Sequence, residues 1–564
     1  MKILQLDVEK LAYDVLKPEA SVYEETKEKH AEFKDALVMW VCVENGDTDE
    51  TADAALKDAV AYMGQVGRKK LVVYPFAHLS SELAEPKEAM RILEHMYKSV
   101  PKGIEASKAP FGWTKKFTIE MKGHPLAEQA KSYDAKGKGK KTYKKAKPVG
   151  ANTAIVKKSD WAGLPDTDHR TIGEKLDLYS FQEVSPAMVY WHAKGFTIYK
   201  QLISFLREKE DEYGYEEVST PGLANVALWH MSGHDEHYKD NMFTFESQFG
   251  EIGLKPMNCP STIMIYKSRK WSYRELPFRT AIFDRLYRSE LSGVVTGLFR
   301  VKELTQDDGH IFVREDQIDK ELDSLLRMVK EIYETFGLKY APKLSTMPDD
   351  HAGEKAEWDK ATEQLKKALD EHKMKYELKE KEGSFYAPKI DFDIFDSQGR
   401  AWQLATIQLD YQMPKRFKLA YTGEDGKDHT PVMIHRAFLG SLERFVGILV
   451  EHYQGKFPTW LAPVQVRVIS ISDQSNEYVR KVYESLRAAK IRAEEDVSDK
   501  TMEYKLRDAI GQKVPYMLVV GKKEVDAGTV AVRTRSGGQK FGVKLEDFID
   551  KIKVETAKRL SSPN

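Results

Sequence analysis

Cysteine is nearly absent: only Cys42 and Cys259 occur in 564 residues. Two thiols cannot build a disulfide framework, and their scarcity suits a reducing cytoplasm, which is the expected location. Long apolar runs are missing too. No stretch of about 18 apolar residues exists, so no membrane span is expected. The start, MKILQLDVEK, alternates like a strand and lacks the charged-then-apolar pattern of a secretory signal. Net charge is zero, with Lys+Arg and Asp+Glu balanced at 88 each, so any basic surface for nucleic acid must be local. No internal repeat recurs, which excludes a solenoid. What is present, 41% hydrophobic and 31% charged residues, describes an ordinary globular chain. Its length suits about three or four domains.

Residues 1–130 alternate strand and helix signals. MKILQLDV, DALVMWVCVE, KKLVVYPF and KKFTIEMKG read as strands. DTDETADAALKDAVAYMGQVG reads as a helix stopping at Gly64 or Gly67, and SSELAEPKEAMRILEHMYKSV as a second one opened by Ser80 or Ser81. Residues 131–180 form a lysine-rich linker, with eight Lys and one Asp between Lys131 and Pro148. A solvated connector is the plain reading, and contact with RNA phosphates is the other. Residues 181–460 mix an amphipathic helix ending at Gly214 with two alternating stretches, GLFRVKELTQDDGHIFV and GRAWQLATIQLDYQM, expected in an antiparallel sheet. HRAFLGSLERFVGILVEHYQG reads as a helix ending at Gly455, and the prolines of FPTWLAP mark a boundary. Residues 461–564 alternate strand and helix again, as a small α/β module of parallel character.

The chemistry gathers around Cys259 in KPMNCP, His310 in TQDDGHIF and His435 in PVMIHRAF. Their separations of 51 and 125 residues match no local zinc motif. Their surroundings say more. Arg288, Glu290 and Arg300 flank a Ser-Gly loop, and two strands joined by such a loop can present guanidinium groups to a polyphosphate. GSLERF places Arg444 on a helix. These segments resemble motifs 2 and 3 of class II aminoacyl-tRNA synthetases, and IYKQLISFLREKEDEYGYEEVSTPG, with Pro221, resembles motif 1. KPMNCP, QDDGHIF, WQLATIQLD and HRAFLGSLERF narrow the resemblance to the threonyl-tRNA synthetase family, over nearly the whole chain.

The resemblance implies a multidomain α/β and α+β fold in four parts: a deacylase-like editing domain (1–130), the linker (131–180), a class II catalytic core on an antiparallel sheet (181–460) and an α/β anticodon-binding domain (461–564). It implies ATP-dependent activation of L-threonine and transfer to tRNA(Thr), by a homodimer built through motif 1. Arg288 would hold the α-phosphate and Glu290 the adenine amine, with Arg300 and Arg444 on the triphosphate and adenine side and Mg²⁺ accompanying ATP. Asp308 would take the substrate ammonium, helped by Gln306, Tyr386, Lys389 and Gln408. Cys259, His310 and His435 would hold one Zn²⁺ per subunit, whose open position discriminates against valine. Serine also offers an amino and a hydroxyl group, and a missing methyl is worth only about 10–200-fold in selectivity, so a second, hydrolytic site is expected. YPFAHLSSELAEPKEAM, KAPFGW and MKGHPLAE resemble the archaeal-type editing domain, with His78 and Lys122 beside the ester of seryl-tRNA(Thr) and Ala77 and Phe111 to Trp113 shaping the pocket. In the last module, Arg507, Glu524 and Arg533 match positions that meet anticodon bases. Three departures stand out: Ser261-Thr262 where Gly-His is usual, Leu304 in place of an aromatic, and Lys302 in place of Arg. A non-catalytic RNA-binding relative, or a prolyl or seryl enzyme, is the competing reading. The complete arginine and zinc-ligand sets weigh against both.

Overall fold

The structure, a computed structural model, describes every residue except 81–82, 125–126, 134–138, 141–160, 162, 234–240, 249, 291–293, 397–398 and 561–564. Most of the lysine-rich linker, and Ser81, therefore lie outside the described residues. Contacts divide the chain into two units, residues 1–152 and 153–564.

The first unit is built on a sheet. Its strands are β1 (Lys2–Pro18), β2 (His30–Cys42), β3 (Lys70–Pro75), β4 (Glu105–Lys108), β5 (Trp113–Met121), β6 (Glu128–Tyr133) and β7 (Gly139–Lys140). The order is β4-β3-β2-β1-β6-β7, with β5 also paired to β1. Apolar residues on both pleat faces give the sheet two cores. Ile3, Met39, Val41 and Val73 pack with helices α1 (Asp49–Val66) and α2 (Pro86–Lys98). Val8, Tyr13, Val38, Trp40 and Tyr74 pack on the opposite face with Phe76 and Trp113. Helix α1 ends at Gly67, whose φ of 70° is the left-handed C-cap that glycine adopts without strain. Helix α2 corrects the sequence expectation. It opens at Pro86, after Glu85, where a proline at N1 gives up no helical hydrogen bond. Ser80 instead closes the single turn Ala77–Leu79 and donates its hydroxyl to Glu44 at 2.5 Å.

In the second unit the short helix α3 (His169–Lys175) and the long α4 (Ala193–Glu212) precede the main sheet. Residues 168–180, expected in the linker, are folded: Ile172, Leu176, Leu178 and Tyr179 are buried in the main core. Helix α4 buries Ile198, Tyr199, Leu202, Phe205 and Leu206, one stripe at helical spacing. Helix α5 is Cys259–Lys267 and α6 is Ile318–Phe336.

The sheet comprises β8 (Glu216–Glu217), β9 (Phe278–Ile282), β10 (Arg285–Tyr287), β11 (Glu303–Val313), β12 (Lys339–Ser345), β13 (Glu377–Lys379), β14 (Lys389–Phe395), β15 (Ala401–Asp410) and β16 (Val432–Ser441). The order is β8-β9-β11-β16-β15-β14-β12-β13, with β10 beside β11. All interior pairings are antiparallel, and only the edge pairs β8–β9 and β12–β13 are parallel.

Strand β16 is a second correction. The stretch His435–Ser441, read as the start of a helix, is extended, and helix α7 spans only Leu442–Tyr453. A buried apolar run has no alternation to betray a strand between two others. Ser441 makes the switch by accepting a hydrogen bond from the Arg444 N–H at 3.3 Å. The C-terminal module has its own sheet: β17 (Val466–Ser470), β18 (Ala493–Asp496), β19 (Tyr516–Val520), β20 (Val530–Thr534) and β21 (Gln539–Val543), in the order β18-β17-β19-β20-β21. Its first two pairings are parallel and its last two antiparallel, so the parallel character holds for half of it. Among the described residues no helix is long and apolar enough to cross a membrane.

Candidate functional site

The antiparallel pairing of β11, β16 and β15 puts His310 opposite His435, and His435 opposite Gln408. Helix α5 begins beside them and carries Cys259 at its first position. The ligand atoms of Cys259, His310 and His435 lie within 4.8 Å of one another, and all three side chains are buried. Residues separated by 51 and 125 positions thus become neighbours through strand register.

These residues fit a metal ion. The His310 Nδ1 is buried without a hydrogen-bond partner, a costly state that coordination would relieve. Burial, then His435 and Arg436, pushes the His310 imidazole well below its usual range, toward the neutral form that binds metals. His435 Nε2 is 2.9 Å from Asp410 Oδ2, an orienting carboxylate of the kind that metal-bound histidines use. Asp410 is fixed in turn by the backbone N–H groups of Gln412 and Met413. Burial, with Asp308 and Asp410 close by, pushes the Cys259 thiol well up, so a nearby cation is what would ionise it. One sulfur and two imidazoles are the donor set of a zinc site with an open fourth position. The other clustered group, Asp168, His169 and Glu451, is different, because both His169 ring nitrogens already have hydrogen-bond partners.

The trio forms one wall of a cavity of about 480 Å³. Three guanidinium groups, from Arg288, Arg300 and Arg444, form another. Burial, then Arg288 and Arg300, lowers the pKa of Arg444, the signature of a place short of negative charge. Arg444 is aimed by hydrogen bonds to the carbonyls of Phe299 (2.8 Å) and Gln403 (3.2 Å). Arg300 pairs with Glu290 at 3.0 Å. Between the two walls, Asp308 accepts from Asn258 at 3.1 Å, and burial raises its carboxyl above the usual range. Tyr386 donates to Gln408 at 2.7 Å, and Gln408 donates to Ser384 at 2.9 Å. Gln306 and Leu304 also line this space. Lys389 stands opposite Gln408 in the strand register, with its ammonium held 2.6 Å from Asp391. Sequence reading missed Arg436, Ser384 and Phe299, which also face the cavity. Arg436, fully buried, pairs with Glu210 at 2.6 Å, and its position beside His435 was the available signal.

The first unit has a cavity of its own, about 610 Å³, lined by Ala77, His78 and Trp113 among others. Lys122 stands elsewhere, paired with Asp35 at 2.6 Å. The lysine on the cavity wall is Lys115, two residues past Trp113. It donates to the carbonyls of Pro110 (2.8 Å) and Trp113 (3.0 Å), and burial pushes its ammonium down to about 8. In the C-terminal module, Arg507 is exposed on the helix Met502–Gly511, Arg533 lies half-buried on β20, and Glu524 accepts from the Gly521 N–H at 2.9 Å.

Three family models match the chain. The archaea-specific editing domain of threonyl-tRNA synthetase covers residues 1–133, the class II core domain for G, H, P, S and T covers 243–453, and an anticodon-binding domain covers 465–555. A threonine–tRNA ligase of Clostridium botulinum is 48% identical over 388 residues, 69% of this chain and 61% of that relative. The chain thus spans about three-fifths of the length of that curated relative. The crystal structure of the RNA-binding domain of threonyl-tRNA synthetase from Cryptosporidium parvum superposes with a TM-score of 0.68 at 39% identity, covering 69% of this chain and 98% of that one. A prolyl-tRNA synthetase from the same organism, at 16% identity and a TM-score of 0.53, shares the fold. With two strands and a helix bringing Cys259, His310 and His435 together beside the three arginines, and these matches along the chain, the protein belongs to the threonyl-tRNA synthetase family of class II synthetases.

Proposed function

We propose that the protein activates L-threonine with ATP and transfers it to tRNA(Thr), and that its N-terminal unit hydrolyses mischarged seryl-tRNA(Thr). The observation carrying this reading is the single cavity in which three arginines face a Cys-His-His trio. Arg288, Arg300 and Arg444 neutralise the polyphosphate of ATP, which enters with Mg²⁺, and Glu290 is released from Arg300 to meet the adenine amine. Asp308 takes the substrate ammonium, with Gln306, Tyr386 and Gln408 completing the amino-acid side. Cys259, His310 and His435 would hold Zn²⁺, which would supply Lewis-acid coordination that the amino and hydroxyl groups of threonine satisfy together and that valine, lacking the hydroxyl, cannot. In the activation step the threonine carboxylate attacks the α-phosphate and pyrophosphate leaves; that nucleophile is already ionised, so the chain's task there is positioning and charge stabilisation, and this step needs no general base.

In the editing cavity, His78 and Lys115 flank the seryl ester, with Ala77 and Trp113 limiting its size. Lys115 takes the place that sequence reading gave to Lys122. Arg507, Glu524 and Arg533 meet the anticodon. The working form is a cytoplasmic homodimer built through the segment that contains Pro221.

The test is pyrophosphate exchange on the wild type and Cys259→Ala. Exchange with threonine, weaker exchange with serine, none with valine, and loss of all in the variant are expected. Robust exchange by the variant would return Cys259 to plain packing.

A further inference from the structure

His169 lies outside every motif discussed above, yet it touches the loop that carries Arg300. It is fully buried at the start of α3. The Leu298 N–H donates to its Nε2 at 3.1 Å. That nitrogen must therefore be the acceptor, so the ring proton sits on Nδ1 and is donated to Glu451 Oε1 at 2.8 Å. The His169 backbone N–H donates to the same oxygen at 3.1 Å. Glu451, also buried, lies on α7, two turns beyond Arg444. The loop is therefore tied to α7 twice: once where Arg444 donates to the Phe299 carbonyl, and once through Leu298, His169 and Glu451.

The packing agrees. The Phe299 ring lies 4.1 Å from the imidazole centroid and also faces the catalytic cavity. Gly297 passes so close that a Cβ there would sit 2.3 Å from His169 Nε2, and its φ of 45° is in the left-handed region. The loop's backbone is thus shaped to seat on this imidazole.

We propose that His169 is a positioning residue for ATP: as a neutral Nδ1–H imidazole it bridges Leu298 to Glu451 and sets the loop residues Phe299 and Arg300 at the nucleotide side of the cavity. This rests on the ATP-dependent reading above. Without the ring, a buried N–H loses its acceptor and Phe299 loses its support.

The experiment measures ATP and threonine affinities by calorimetry, and pyrophosphate exchange, on the zinc-loaded full chain of the wild type, His169→Ala and His169→Gln. A glutamine reaches far enough to present an acceptor oxygen to Leu298. The expected result is ATP binding weaker by about tenfold or more in His169→Ala, threonine affinity unchanged, and recovery of most of the loss in His169→Gln. Should the alanine variant not fold, His169→Asn replaces it, since its amide can donate to Glu451 but cannot reach Leu298. Unchanged ATP affinity, an equal fall in both affinities, or a glutamine variant as impaired as its comparator would overturn the proposal. A wild type that binds ATP without threonine-dependent exchange would overturn the proposed activity, and the affinity ratios would still decide the role of His169.

Discussion

At the scale of single residues, the site is organised by groups one step removed from the substrate space. Asp410 is completely buried and accepts from two backbone N–H groups while its other oxygen faces His435. That leaves one orientation for the imidazole. Asp410→Asn keeps the shape and removes the charge, and should lower zinc affinity by about 10–100-fold, measured by competition with a chelating dye. An unchanged affinity would mean that the carboxylate only braces the turn at 412–413. Sequence reading named Cys259, His310 and His435 through the motifs around them and gave no hint of Asp410. An aspartate near the end of an apolar strand has no local mark that separates an orienting carboxylate from one that braces a turn, and here it does both.

At the scale of elements, β11 and β16 carry the site because their register sets His310 opposite His435, and a buried guanidinium packs across the same pairing. Arg436 donates to Glu210 on α4 and to the carbonyl of Asp307. It lies across Gly309, where a Cβ would come within 2.3 Å of its Cζ and Nε. Gly309→Ala should push the guanidinium off its partners and cost about 1–3 kcal/mol, measured by chemical denaturation. A variant of wild-type stability would show that the strand can shift to make space. The same strands show why one element was misread. Residues 432–439 are buried on both faces, so their apolar pattern carries neither a period of two nor of 3.6, whereas β15 alternates in part and is recognised. Helix α2 was placed too early because Ser80 has the chemistry of a cap, but the proline at 86 sets the start.

At the scale of the whole molecule, the two candidate catalytic cavities belong to units with separate cores. A lesion in one should leave the other's chemistry alone. Lys115→Met in the full chain should retain threonine-dependent pyrophosphate exchange at the wild-type rate and should accumulate seryl-tRNA(Thr) in aminoacylation with serine. Prompt clearance of seryl-tRNA by that variant would remove Lys115 from the editing reading.

The order of the modules and fewer than half of the strands were legible in the sequence, because caps, alternation and short motifs are local and each acts within a few residues of itself. Pairing register, the depth of burial and the choice between two nearby lysines are decided by long-range contact. No local pattern shows that residue 310 faces residue 435, that Lys115 lines a cavity while Lys122 pairs with Asp35, or that His169 of the supposed linker supports the loop before Arg300. These follow from where the folded backbone places groups far apart in the chain, and only the tertiary structure sets those positions.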